Sequence, residues 1–265
     1  MEPLSLFGPL GDTALLLGLS ATRVAVAFLL IPLFTAELIP ALVRNAMFMA
    51  VALLGLAMQP AAAPLVLSTW QWITLFAKEA FIGGTLGLFF AGSMWAFEAA
   101  GQVIDTKVGS TQAQVSDPLS GHQTSLNGAL FARLASFVFM AGGGFMVFIG
   151  ALLESYALWP VRSAMPPLAE GGARLFESEL GRIMLLTLVV AAPALVLLYM
   201  IDGVLGLINR FAQQLNVTTL SMSLKAVAAV WIVWIQIATL VQFLQDDLLS
   251  RGVVALRALR ILFGG

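Results

Sequence analysis

Nine ionisable residues lie in or against long apolar stretches of this chain: Arg23, Lys78, Glu79, Glu98, Asp105, Arg133, Glu154, Asp202 and Arg210. An unpaired charge in hydrocarbon is costly, so such residues either line a polar path or pair with one another. Most sit near the ends of their stretches, where a long side chain reaches polar surroundings at little cost. Arg23 and the adjacent Lys78-Glu79 lie well inside, which makes them the buried-charge candidates and leaves two readings open. They could bind a solute along a transport path, as in a small multipass permease, or they could be interhelical salt bridges that fix register. Other chemistry is poorly supplied. His122 is the only histidine and cysteine is absent. Disulfides, thiolate sites, two-histidine metal centres and histidine-dependent triads are therefore excluded. No phosphate-binding glycine loop or dinucleotide fingerprint is present. The chain is not expected to be an enzyme, and neither a cofactor nor a metal site is expected.

A second concentration of polar residues runs from Asp105 to Ser125 between two very apolar stretches, and it is too long for a plain connection. Asp117-Pro118-Leu119-Ser120 fits a type I turn, with proline presetting φ at the second position. Gly109 and Gly121 let the chain reverse at either end, and Thr124 or Ser125 can cap the helix that follows. Ser110, Gln112 and Gln114 give the remainder its character. By its own chemistry this is a structured loop rich in Ser, Thr and Gln.

The elements that hold these residues are dictated by composition. Hydrophobic residues make up 60% of the chain and charged ones 10%, against about 25% charged in an ordinary soluble domain. Mean hydropathy is +0.97. Such a chain belongs in a membrane or among apolar neighbours. The stretches run roughly over 14–34, 46–67, 70–97, 126–153, 183–208 and 226–243; their length and their Leu, Ala, Met and Phe content predict helices. A span needs roughly 20 apolar residues to cross about 30 Å of hydrocarbon, so an all-α, multi-pass membrane protein is expected. Gln59-Pro60 should break the second stretch and Pro193 should kink the fifth. The opening Met1-Glu-Pro lacks a positive region, so the first stretch is expected to stay in the mature chain.

Charge does not settle the topology. With six crossings, Lys and Arg divide six to four between the sides, whereas the positive-inside rule wants a clearer bias. A net charge of −1 offers no basic footprint, so no nucleic acid is expected as a partner. Gly83, Gly87 and Ala91 form a small-xxx-small row that admits a close helix, from this chain or from another subunit. Gly142-Gly143-Gly144 would cost a helix about 1 kcal/mol per residue relative to alanine, which predicts a bend or a very close contact. The Pro-rich piece from Trp159-Pro160 to Pro166-Pro167 divides a longer N-terminal part from a C-terminal helical hairpin.

Residues spread over nearly the whole chain resemble the FliR/SctT family, the export-gate subunit of flagella and type III secretion systems. The likeness is carried by Arg23…Pro32-Leu-Phe34…Pro40…Arg44, then Glu79-Ala-Phe-Ile-Gly83…Gly87 and Ala100-Gly101-Gln-Val-Ile-Asp105…Gly109. It continues through Asp117-Pro118…Gly121…Ser125 and Ala192-Pro193…Asp202-Gly-Val-Leu-Gly206-Leu-Ile-Asn-Arg210, and ends with Gln214-Leu-Asn216…Ser221-Met-Ser-Leu-Lys225. Order and spacing carry it, rather than any one piece. Glu154-Ser-Tyr-Ala-Leu-Trp-Pro160 and the glycine triplet look more like the injectisome branch than the flagellar one.

The resemblance implies a structural subunit of a protein-export channel in the bacterial inner membrane, passing unfolded secreted proteins. It implies assembly with FliP/SctR-type, FliQ/SctS-type and FlhB/SctU-type subunits. Residues 1–160 would be FliP-like and 161–265 a FliQ-like hairpin. Helices lifted largely out of the bilayer plane would explain the indecisive charge topology. The loop matching 106–124 would project into the central pore and help plug it. Gly83, Gly87, Arg210 and Lys225 would serve subunit packing.

Overall fold

The computed structural model describes residues 8–34, 39–59, 68–109, 125–163, 172–211 and 217–262. Among them the regular structure is entirely helical, as expected: α1 (Gly8–Leu29), α2 (Ala41–Ala57), α3 (Thr69–Val108), α4 (Leu126–Ala141), α5 (Gly144–Leu158), α6 (Gly172–Phe211) and α7 (Val217–Leu262), with a 3-10 turn at Pro32–Phe34. Among the described residues three helices are long and apolar enough to cross a membrane, Thr69–Val108, Gly172–Phe211 and Leu220–Leu262, and α4 with α5 together make a fourth candidate.

The helix ends follow local chemistry. α2 stops at Ala57, just before Gln59-Pro60. The glycine triplet splits the fourth stretch: the Gly142 N–H caps α4 on the Val138 carbonyl at 2.7 Å, and Gly143 takes φ +88° before α5 begins. That conformation is open to glycine and strained for any side chain. α6 continues through Pro193, where the missing N–H frees the carbonyl four residues earlier. At 40 and 46 residues, α6 and α7 are about 60 and 70 Å long, twice a hydrocarbon core. They continue far past the apolar stretches that announce them.

The chain forms two compact units, neither continuous in sequence. The first comprises 1–92, 143–179 and 248–265; the second comprises 93–142 and 180–247. In the first, Phe28 sits among Phe34, Phe48 and Phe148 at ring separations of 4.6, 5.0 and 5.1 Å, and Phe90 meets Phe148 at 5.2 Å. Edge-on aromatic packing of this kind adds to the area that the rings bury. In the second unit, Ala96, Ile183 and Leu186 form the buried contact between α3 and α6, and Gly101 lets α3 approach the backbone at Asn127.

Candidate functional site

Within the first unit, Arg23, Lys78 and Glu79 converge with no solvent exposure at all. Arg23 is fixed on α1 and the other two on α3. Arg23 Nε donates to Glu79 Oε2 at 2.6 Å and its Nη2 to Oε1 at 3.0 Å, a fork that matches a carboxylate face to face. Lys78 Nζ lies 2.9 Å from Glu79 Oε1. One carboxylate thus faces two cations, and the excess charge is met by Ser155 on the last turn of α5 and by the carbonyls of the turn that follows it. Arg23 donates to Ser155 Oγ at 3.0 Å and to the Trp159 carbonyl at 2.8 Å. Lys78 donates to the carbonyls of Pro160, Val161 and Ser163 at 3.0, 2.9 and 2.9 Å. Backbone carbonyls outside regular structure have no ladder partner, so buried cations can satisfy them and be satisfied in turn. The Arg23 guanidinium also lies 4.2 Å over the Tyr156 ring, a cation–π contact.

The glycine row lies beside this network. Gly83 and Gly87 are buried, and a Cβ at either would collide with the α1 backbone, at Arg23 and at Ala27 respectively. The structure gives the row to packing within the chain. Of the two neighbours the row could admit, α1 of this chain lies against Gly83 and Gly87.

Of the polar segment, residues 105–109 and Ser125 are described; Ser110, Gln112, Gln114, Asp117, Pro118 and Gly121 lie outside the described residues. The segment is rooted in the second unit. Gly109 closes α3 with φ +92°. Asp105, one turn before it, accepts hydrogen bonds from Ser125 Oγ, from Asn127 N at 2.8 Å and from Asn127 Nδ2 at 2.6 Å. Ser125 in turn caps α4, accepting from Gly128 N at 3.1 Å. One carboxylate therefore joins the two ends of the segment. Next to it, Asp202 of α6 pairs with Lys107 of α3 at 2.6 Å and with Lys225 of α7 at 3.1 Å. Lys225 also donates to the Lys107 carbonyl at 3.3 Å. Arg210 is exposed on the last turn of α6.

Residue types alone did not single out Lys107, Asn127 or the cluster of Arg182, Asp247 and Ser93. In that cluster Arg182 meets Asp247 at 3.2 Å and Ser93 Oγ at 3.2 Å. The signal that could have found these pairs is an isolated carboxylate within an apolar run, which demands a cation nearby. Among the described residues no cluster of His, Asp and Glu is arranged to hold a metal.

Residues 14–250 match the family described as bacterial export proteins, family 1. The chain is 32% identical to the Yop proteins translocation protein T of Yersinia pestis over 211 residues, covering 78% of this chain and 80% of that protein. It is 30% identical over 218 residues to the surface presentation of antigens protein SpaR of Salmonella typhimurium, covering 81% and 80%. It is 26% identical over 245 residues to the flagellar biosynthetic protein FliR of Bacillus subtilis, covering 91% and 93%.

Proposed function

The chain belongs to the bacterial export proteins, family 1, the FliR/SctT family, and from that premise we propose that it is a pore-forming subunit of a type III protein-export gate. It is a multi-pass protein of the bacterial inner membrane and a structural part of the export apparatus, not an enzyme. Unfolded secreted proteins are its cargo. Its neighbours are FliP/SctR-type and FliQ/SctS-type subunits, with a FlhB/SctU-type subunit packed outside. Residues 1–160 supply the FliP-like part and 161–265 the FliQ-like hairpin. The injectisome branch is favoured by 32% identity to a Yop translocation protein against 26% to the Bacillus subtilis FliR.

The observation that carries the pore reading is the long polar segment set between such apolar helices and rooted at both ends on Asp105. Glycine-punctuated and rich in Ser, Thr and Gln, it can block a lumen yet yield to a polypeptide, because little buried charge has to be separated when it moves. Shortening Gly109–Gly121 is expected to leave co-purification with the partner subunits intact and to make the resting complex leak small molecules. Flux through liposomes or cells equal to that of the intact protein would overturn the reading. A solute permease is disfavoured by the network itself: Arg23, Lys78 and Glu79 have zero exposure, and their donors and acceptors are already committed to protein groups.

A further inference from the structure

We propose that Asp202 is a positioning residue for the polar segment. It holds Lys107 of α3 and Lys225 of α7 at once, and so ties the point where that segment leaves α3 to the hairpin of α6 and α7. The inference rests on the plug reading above and adds the contact that keeps the plug seated. Lys107 is the second residue after Asp105 and the second before Gly109, so it marks the root of the segment. Its ammonium lies 2.6 Å from Asp202 Oδ2 and 3.9 Å over the Tyr199 ring, so two successive turns of α6 grip one lysine. Lys225 reaches the other carboxylate oxygen, Oδ1, at 3.1 Å. Ser221, one turn earlier on α7, reaches the same oxygen at 3.4 Å. Gly109, at φ +92°, lies beside α7: a Cβ added there would come within 3.6 Å of the Met222 side chain.

What separates this tie from a permanent staple is its exposure. Arg23 and Glu79 are at 0% and 0%, whereas Lys107, Lys225 and Asp202 are at 25%, 12% and 31%. The chain itself encloses the second set only in part, so its ions can part at a lower cost than the fully enclosed pair. A contact that must open when cargo displaces the segment needs that property. The sharing is also asymmetric: two cations depend on one anion, so loss of Asp202 releases both helices and leaves two like charges side by side. Loss of either lysine releases one helix.

The experiment uses the whole export complex, co-expressed with its partner subunits. Asp202→Asn is expected to co-purify normally and to raise resting leak about three- to tenfold. Asp202→Glu should restore a tight complex. In the complex shortened at Gly109–Gly121, Asp202→Asn should add nothing, because the segment it positions is gone; a purely structural role would add to the leak in both backgrounds. If the shortened complex is itself as tight as wild type, the plug reading has failed. If it leaks while assembled Asp202→Asn is as tight as wild type, the plug stands and the tie is overturned. Should Asp202→Asn not assemble, Lys107→Gln tests the same bond from α3, and wild-type tightness there also overturns it. The chain has no cysteine, so Lys107→Cys with Asp202→Cys can be bridged specifically by a short bifunctional thiol reagent. Secretion should stop once the bridge forms, and secretion at the unbridged rate would overturn the requirement that the root move.

Discussion

Glu79 is the one anion set between two cations, so its loss should be felt more than its size suggests. Glu79→Gln leaves Arg23 and Lys78 buried against each other with only carbonyl dipoles for compensation. Removing one partner of a buried pair costs about 3–5 kcal/mol, and a fall in the melting temperature of the purified complex is the expected readout. Lys78→Met should cost less per lost charge, but it strands the carbonyls of Val161 and Ser163, each worth about 1–3 kcal/mol if left dry, while that of Pro160 still accepts from Ser163. An Arg23→Met, Lys78→Met, Glu79→Leu triple variant of similar volume should recover much of the loss from Glu79→Gln. If Glu79→Gln melts like wild type, the network contributes nothing to stability and the solute-path reading regains its footing. The sequence picks out all three residues by their apolar surroundings. It cannot choose between path and bridge, because Ser155 lies 132 positions from Arg23 and the backbone carbonyls that decide the matter carry no residue-type signal.

At the scale of elements, the packing of α1 on α3 turns on the absence of side chains. At Gly83 an added Cβ would run into the Arg23 backbone, which belongs to the same residue that anchors the ion network. Gly83→Val should therefore separate the helices and break the fork together, with a loss of complex yield comparable to that of Glu79→Gln. Gly150 and Gly203 have open space where a Cβ would sit. Alanine at Gly150 is expected to be neutral or to stabilise α5 by up to about 1 kcal/mol, measured as unfolding in detergent. Destabilisation at Gly150 as large as at Gly83 would show that helix approach is not what the glycines provide. The small-xxx-small spacing is legible in the sequence, but which neighbour it admits is not, since any helix with a flat face satisfies the pattern. Helix extent is legible only where it is apolar. The run at 226–243 marks the middle of a helix that reaches from Val217 to Leu262, because the polar turns beyond it are held by pairs such as Arg251 with Glu179 at 3.6 Å. The glycine triplet is read correctly as a break because φ +88° at Gly143 is a demand that glycine meets locally.

For the molecule as a whole, the distribution of covered and uncovered apolar surface decides between a self-contained protein and a subunit. The apolar window of α3 is 72% buried inside the chain, whereas those of α6 and α7 are 33% and 22% buried. On α7 the ridge of Val227, Val230, Trp231 and Trp234 stands 58–71% exposed around an open apolar groove of about 500 Å³. Bare apolar surface on this scale marks contact with lipid or with other subunits. Composition announces that surface from the sequence, but periodicity cannot divide it, since lipid tails and apolar neighbours select the same residues. The two covers differ in one consequence. A lipid-covered chain is complete in a detergent micelle, whereas a subunit-covered chain leaves its grooves filled by flexible detergent in place of fitted helices. Expressed alone, the protein is expected to be degraded or to purify as polydisperse material; co-expressed with FliP/SctR-type and FliQ/SctS-type subunits, it should purify in a single defined complex. Trp234→Arg sharpens the test, because arginine on an assembly-facing ridge should abolish that complex, with a cost of about 3 kcal/mol even by the most lenient membrane scale. A monodisperse monomer that moves a small solute across liposomes unaided would reverse the conclusion. The exposed ridge would then be a lipid face, and the polar segment would close a path belonging to this chain alone.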